Sequence, residues 1–197
     1  MLNYEIFMKH AEKVCSSPHL DAVDRHQILK GVKHFENGDA IATDSHRLYL
    51  ARGVHNREDE AVISPAGKVL SGNYPDVKRI IPTNDPSQEI GLSVADLLEA
   101  SNAIYGVGSV IEETPRMDFV EDSIRYDSVH VKYQRTLPDR FEERMCVNAK
   151  YVLDAVRLFK AASCQNVSVK FYGRMRPFTL ANEDESLIVL ILPIRKY

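Results

Sequence analysis

Three stretches with helical periodicity, each followed by short strand-like runs, constrain this chain more than any other feature. Residues 3–16 set Tyr4, Phe7, Met8, Ala11, Val14 and Cys15 at the three- and four-residue spacing of one apolar helix face. Residues 93–106 read as a second helix with Ser93 as N-cap, and residues 148–162 as a third capped by Asn148. Between the first two lies "ILKGVKHFENGDAIATDSHRLYLARG", where Asn37-Gly38 is a hairpin signal and "HRLYLAR" alternates like a strand. "MDFVEDSIRYDSVHVKYQRTL" predicts two or three strands and "ERMCV" a short one. Residues 166–197 predict three closing strands, with turns at Gly173 and "NEDES". A helix followed by antiparallel strands thus recurs three times, with a stunted fourth attempt at Ser64-Pro65-Ala66-Gly67-Lys68. The pattern predicts an α+β fold and gives no βαβ alternation.

A proline-bearing stretch at 82–88 reads as a linker, dividing the chain into units 1–85 and 86–197. At 197 residues there is room for one or two domains with a core. No apolar run approaches the roughly 20 residues a membrane helix needs. The opening "MLNYEIFMKHAEK" carries charges throughout, so a secretory signal is not expected. Cys15, Cys146 and Cys164 are too few and scattered for a disulfide framework or zinc site. The expectation is a cytoplasmic protein with no membrane association.

The net charge is −3, but its distribution is uneven. Residues 93–147 hold 6 Lys and Arg against 11 Asp and Glu, and residues 148–197 hold 8 against 4. Segregated charge lets a basic face meet phosphate while the rest stays acidic, though an unevenly charged solvated surface reads the same way. Lys9 and Lys13 share one helical face, and Lys150, Arg157 and Lys160 occupy the polar side of another.

The run Thr43-Asp44-Ser45-His46-Arg47 holds residue types used in nucleophilic and metal chemistry. Neighbours on a strand point to opposite faces, which sets Ser45 and His46 apart and disfavours a serine nucleophile. The histidines at 10, 19, 26, 34, 46, 55 and 130 never fall at helical or finger ligand spacing. A turn in which Thr43 and Asp44 bond the backbone accounts for the stretch better. Gly106-x-Gly108 lacks the third glycine and preceding strand of a phosphate loop. No cofactor, metal or catalytic residue is expected.

Four stretches together resemble the bacterial sliding clamp, the beta subunit of DNA polymerase III. "ATDSHRL" is similar to the family's A-T-D-G-H-R-L signature, with Ser45 where glycine is usual. "GNYPDVKRIIP", "VNAKYVLDAVRLFKA" and "LIVLILPIRKY" resemble three further family motifs, in the same order along the chain. The resemblance implies a clamp fold with sheets outside and helices lining an inner face. It implies that residues 1–85 match a truncated middle domain and 86–197 a complete C-terminal domain, the family's first domain being absent.

It further implies a non-enzymatic processivity factor that docks short linear peptides of DNA polymerase and clamp loader in a groove. Carried over by position, that groove uses Leu29, Thr43, Ser45, His46, Arg47, Leu48, Pro75, Arg79, Ile80, Leu190, Leu192, Pro193, Ile194 and Arg195. The bases Lys9, Lys13, Arg25, Lys150, Arg157 and Lys160 would face double-stranded DNA without reading its sequence. Rings of this superfamily use twelve helices, so three helices per chain favour a homotetramer. Counting the stub at Ser64 as a fourth gives a trimer. The alternative is a clamp-like binding module, a decoy or regulator that does not encircle DNA.

Overall fold

A computed structural model describes residues 2–21 and 24–194, with side chains given for all of these except 24–26. The first predicted helix forms as α1, Tyr4–Cys15. The side chain of Asn3 caps it by accepting the Ile6 N–H at 2.8 Å. Its apolar stripe of Phe7, Met8, Ala11, Val14 and Cys15 is buried. The Asn37-Gly38 hairpin joins β1, Val32–His34, to β2, Ala40–Thr43, in register His34 to Ala40. Gly38 sits at φ 86°, where a side chain is disfavoured. Next come β3, Arg47–Ala51, β4, Ala61–Ile63, and β5, Val69–Leu70.

The stunted helix expected at 64–68 does not form. Ser64 N–H donates to Lys68 O and Gly67 N–H to Ser64 O, both at 2.8 Å, closing a turn between β4 and β5. Gly67 at φ 84° suits that turn, and Pro65 supplies no N–H of its own. A short 3-10 turn at Val77–Ile80 lies beyond.

The second half opens with a strand not anticipated from sequence, β6, Gln88–Ser93, with Ile90 and Leu92 buried. α2, Val94–Ile111, has the expected Ser93 cap, accepting the Asp96 N–H. It runs five residues past the predicted end and takes in Gly106 and Gly108. Pro115 packs so close to Gly108 that an added Cβ would lie 2.7 Å from the Pro115 Cβ. The several strands expected between 117 and 147 are one hairpin, β7, Arg116–Asp127, and β8, Lys132–Asn148. Irregular pairing around Glu121 absorbs extra residues of β8 and accommodates Pro138 within the strand. α3, Ala149–Ala161, follows with the predicted Asn148 cap, then β9, Asn166–Phe171, β10, Phe178–Ala181, and β11, Leu187–Ile191.

Nine strands form one sheet in the order β5-β4-β1-β2-β3-β11-β10-β9-β6, and β7 and β8 pair separately. The β3–β11 pairing runs from Arg47 opposite Ile191 to Ala51 opposite Leu187 and joins the two halves of the chain. All three helices contribute to the main core on one side of the sheet, with Phe7, Ile104 and Phe159 fully buried there. The other side has two smaller clusters. One holds Ile41, Leu48, Leu50, Val77, Ile188 and Leu190; the other holds Leu20, Ile28, Leu29 and Val62.

Candidate functional site

The turn 43–47 is closed by its own side chains. Thr43 Oγ1 donates to Arg47 O at 2.7 Å, and Asp44 Oδ1 accepts the N–H groups of His46 and Arg47, each at 3.0 Å. The bend sets Ser45 at φ 73°, in the left-handed region that favours glycine. The backbone-bonded turn expected from sequence is thus what forms. Asp44 is wholly buried, and its other oxygen accepts from Arg47 Nε at 3.0 Å.

The Arg47 guanidinium lies beneath the helices. Its Nη1 donates to Asp154 Oδ2 of α3 at 2.8 Å and its Nη2 to Lys13 O of α1 at 2.7 Å. The Tyr151 ring centroid is 4.4 Å away, a cation–π distance. Burial opposes this charge, but Tyr49 and the carboxylates of Asp44 and Asp154 outweigh it and raise the Arg47 pKa. Lys150 Nζ also reaches Asp154 Oδ2 at 2.8 Å. No hydrogen bond joins Ser45 to His46 among the described residues. The His46 ring lies tilted against His19 instead, centroids 4.4 Å apart, and burial, then His19, lowers its pKa. These contacts hold the bend in place and tie it to α1 and α3; they do not align a nucleophile with a base.

Strand periodicity sorts the predicted groove residues between the two faces. Tyr49, Ala51, Val189 and Ile191 join the helix-side core, whereas Leu48, Leu50, Ile188 and Leu190 face the other way. Arg47 shares the parity of Tyr49, so of the predicted groove residues it belongs to the helix side. Thr43 shares the parity of Ile41 and lies with Leu48 and Leu190 on the outer side. Leu29 sits in the adjacent outer cluster, and Tyr74 packs against both clusters while donating to Ile41 O at 3.4 Å.

Around this floor Ser45, His46, Pro75 and Arg79 are exposed, Ile80 is 48% exposed and Leu192 36%. Leu192 N–H donates to His46 O at 2.9 Å, so the end of β11 is fastened to the bend. Pro193 and Ile194 line a cavity of about 320 Å³ with Arg144, Cys146, Arg174 and Met175. Arg195 lies outside the described residues. Tyr74, Val77 and Ile81, which cover the outer cluster, were missed from sequence. Their apolar spacing in "GNYPDVKRIIP" was the signal available.

On the helix side Lys9 and Lys13 of α1 and Arg157 and Lys160 of α3 are exposed. Lys150 is half-buried against Asp154, and Arg157 Nη2 donates to Asn102 of α2 at 3.1 Å. His10 lies among them: burial first, then Lys9, Lys13 and Arg157, lower its pKa, with Asp154 opposing. α2 contains no Lys or Arg. Arg25 falls in a short 3-10 run, Asp24–Lys30, and its side chain is outside the described residues. Among the described residues no group of three or more His, Cys, Asp or Glu could hold a metal ion, and no helix is long and apolar enough to cross a membrane.

No family model matches the chain. Over 169 residues it is 29% identical to the beta sliding clamp of Bacillus subtilis (strain 168), covering 81% of this chain and 41% of that protein. It superposes on the DNA polymerase beta subunit of Streptococcus pyogenes with TM-score 0.80 and 20% identity, over 98% of this chain and 63% of that one. The chain is similar to the bacterial beta sliding clamps. It has the DNA clamp fold, mixed α and antiparallel β, and spans about two fifths of the length of that curated relative. The same fold occurs in a Helicobacter pylori beta clamp bound to a DNA ligase peptide, with TM-score 0.71 and 16% identity over 98% of this chain and 64% of that one.

Proposed function

We propose that this protein is a DNA sliding clamp, a non-enzymatic and ring-forming processivity factor of the cytoplasm. Its outer groove docks short linear peptides of DNA polymerase and clamp loader, and its helices face double-stranded DNA. The observation that supports the proposal is the division of residue types across one sheet. Leu48 and Leu190, which the proposal assigns to the groove, lie on one side with Ile80 and Leu192 left exposed, and the helices α1 and α3 that carry the bases pack on the other. Apolar walls supply affinity for a peptide, and polar groups at the rim set its orientation. Exposed Lys9, Lys13, Arg157 and Lys160 suit weak, salt-sensitive and sequence-indifferent phosphate contacts, which let a ring slide.

In this proposal residues 1–85 stand in for a truncated middle domain and 86–197 for a complete C-terminal domain. Three helices per chain call for four copies to complete a ring of twelve, and the turn at 64–68 removes the extra helix on which a trimer depends. Closed symmetry is what keeps a head-to-tail contact from growing into a filament. The second reading, a binding module that does not encircle DNA, draws on the absence of Lys and Arg from α2 and the pairing of Lys150 with Asp154. Light scattering with a plasmid-retention assay decides between them. A ring gives a tetramer mass and stays on circular plasmid but runs off once the plasmid is cut. A stable monomer, or equal retention on circular and linear DNA, overturns it.

A further inference from the structure

The sheet edge that carries His46 and Leu192 continues into the turn between β9 and β10. Arg47 lies opposite Ile191, and Ile191 opposite Phe178, so the starts of β3 and β10 and the end of β11 sit side by side. The turn ahead of β10 is closed by Arg176 N–H donating to Gly173 O at 3.0 Å, with Gly173 at φ 114°. It exposes Arg174, Met175 and Arg176 in succession, Met175 by 59%. Arg174 and Met175 line the 320 Å³ cavity together with Pro193 and Ile194. Arg176 lines a second cavity of about 230 Å³ with Arg79 and Ile80. One turn therefore contributes to two cavities, and each also contains residues of the proposed docking groove.

The charge here is only partly answered. Arg79 pairs with Asp76 at 2.7 Å and Arg144 with Asp118 at 3.0 Å. Arg174 and Arg176 have no carboxylate within ion-pair distance among the described residues, and neither cavity has an acidic residue in its lining. Two guanidinium groups thus flank a largely apolar floor without a counter-charge among the described residues.

We infer that the groove selects acidic linear peptides, with apolar anchors on the floor and carboxylates on Arg174 and Arg176. The inference rests on the peptide-docking reading above and adds the chemistry of the partner. A guanidinium offers a planar fork that fits a carboxylate. Because both arginines are solvated, they act on selection and association rate more than on total affinity. Single-stranded nucleic acid is also anionic, but it binds best where aromatic faces stack its bases. Tyr172 is the one aromatic residue in the two linings; the other apolar members, among them Met175, Pro193, Ile194, Ile80 and Ile81, offer no face for stacking bases in succession, and this favours a peptide.

The test is fluorescence anisotropy on the full chain with two short labelled peptides. Both share a core of two leucines and a phenylalanine; one is flanked by aspartates and the other by asparagines. The acidic peptide is expected to bind roughly tenfold tighter at low salt, with the gap closing at about 0.5 M salt. Arg174→Gln with Arg176→Gln removes the gap, and Arg174→Glu with Arg176→Glu reverses it. Both pairs of substitutions fall in an exposed turn and should leave the thermal midpoint unchanged. Equal affinity for the two peptides overturns the inference and leaves peptide docking standing. If neither peptide binds, docking fails and the inference goes with it. If instead an oligonucleotide loses affinity in the arginine variants while the peptides do not, the turn is a phosphate contact and the inference is overturned.

Discussion

The two faces of β3 show how differently one strand can be used. Toward the helices it presents Arg47, Tyr49 and Ala51 to a large core that also holds side chains from α1, α2 and α3. Away from them it presents Leu48 and Leu50 to a small cluster covered by Tyr74, Val77 and Ile81 on an irregular strap. The helix face includes a charge network with almost no solvent contact: Arg47 is 3% exposed and Asp154 4%. The outer face is thinly covered, and Ile80 and Leu192 remain open at its rim. The contrast is a physical one: the helix face is locked by buried charge and dense packing, and the outer face is held by a thin apolar cover.

The largest effect expected from that contrast is at Arg47. Arg47→Met removes the group shared by Asp44 and Asp154, leaving Asp154 with Lys150 as its cation and the buried Asp44 with backbone N–H donors alone. The cost should be about 3–5 kcal/mol, read as a lowered denaturant midpoint. A loss under ~1 kcal/mol would mean the network is not what makes the helix face rigid.

Smaller, but specific to the same face, is the pH response of His34. Its Nδ1–H faces Val32 O at 3.0 Å, an acceptor only, so Nε2 is left to accept from the Tyr4 hydroxyl at 3.0 Å. The contact to Tyr4 needs the neutral ring, since a protonated Nε2 can no longer accept, whereas donation to Val32 O survives protonation. Burial, with His55 and Arg57 adding to it, pushes the pKa down to about 4. An unfolded histidine titrates near ~6.5, so below that pH the unfolded chain takes the proton first. The stability due to His34 is therefore complete above ~6.5 and is lost as pH falls toward 4. Wild type should lose about 1–3 kcal/mol more over that range than His34→Gln, measured by urea unfolding across pH. Equal pH slopes would remove His34 from the account.

The smallest effect belongs to the bend that joins the two faces. Ser45 pays for a left-handed backbone at φ 73°, and Ser45→Gly should stabilise by about 0.5–1 kcal/mol. A lower thermal midpoint in that variant would show that the serine hydroxyl holds the bend in a way the backbone geometry does not reveal.

Much of this architecture was legible in the residues. The caps at Ser93 and Asn148, the Asn37-Gly38 turn and the periodic apolar stripes are local signals, and α1, α3 and the β1–β2 hairpin formed where they indicated. The stub at Ser64 failed because a proline followed by a left-handed glycine suits a hairpin turn as well as a helix start. The strands of 116–148 were divided too finely because Pro138 and the irregular pairing at Glu121 look like breaks to a local rule. Within the proposed groove the motif residues clustered by position, but their direction was not legible. Arg47 sits between two groove residues in sequence and points the other way, because strand parity and the carboxylate of Asp154 decide where its charge goes. The turn at Arg174 and Arg176 was legible only as a turn.

By itself the sequence determined which segments are helices, where most of the turns fall and, through four short motifs, which family of folds the chain joins. Periodicity and capping act over a few residues, so they need no knowledge of the rest of the molecule. Only the tertiary structure decided that β3 pairs with β11, bringing His46 beside Leu192, and that Arg47 is drawn under the helices. Those outcomes depend on groups more than a hundred residues apart, and their energy appears only when a buried charge finds its partner and two strands share a register.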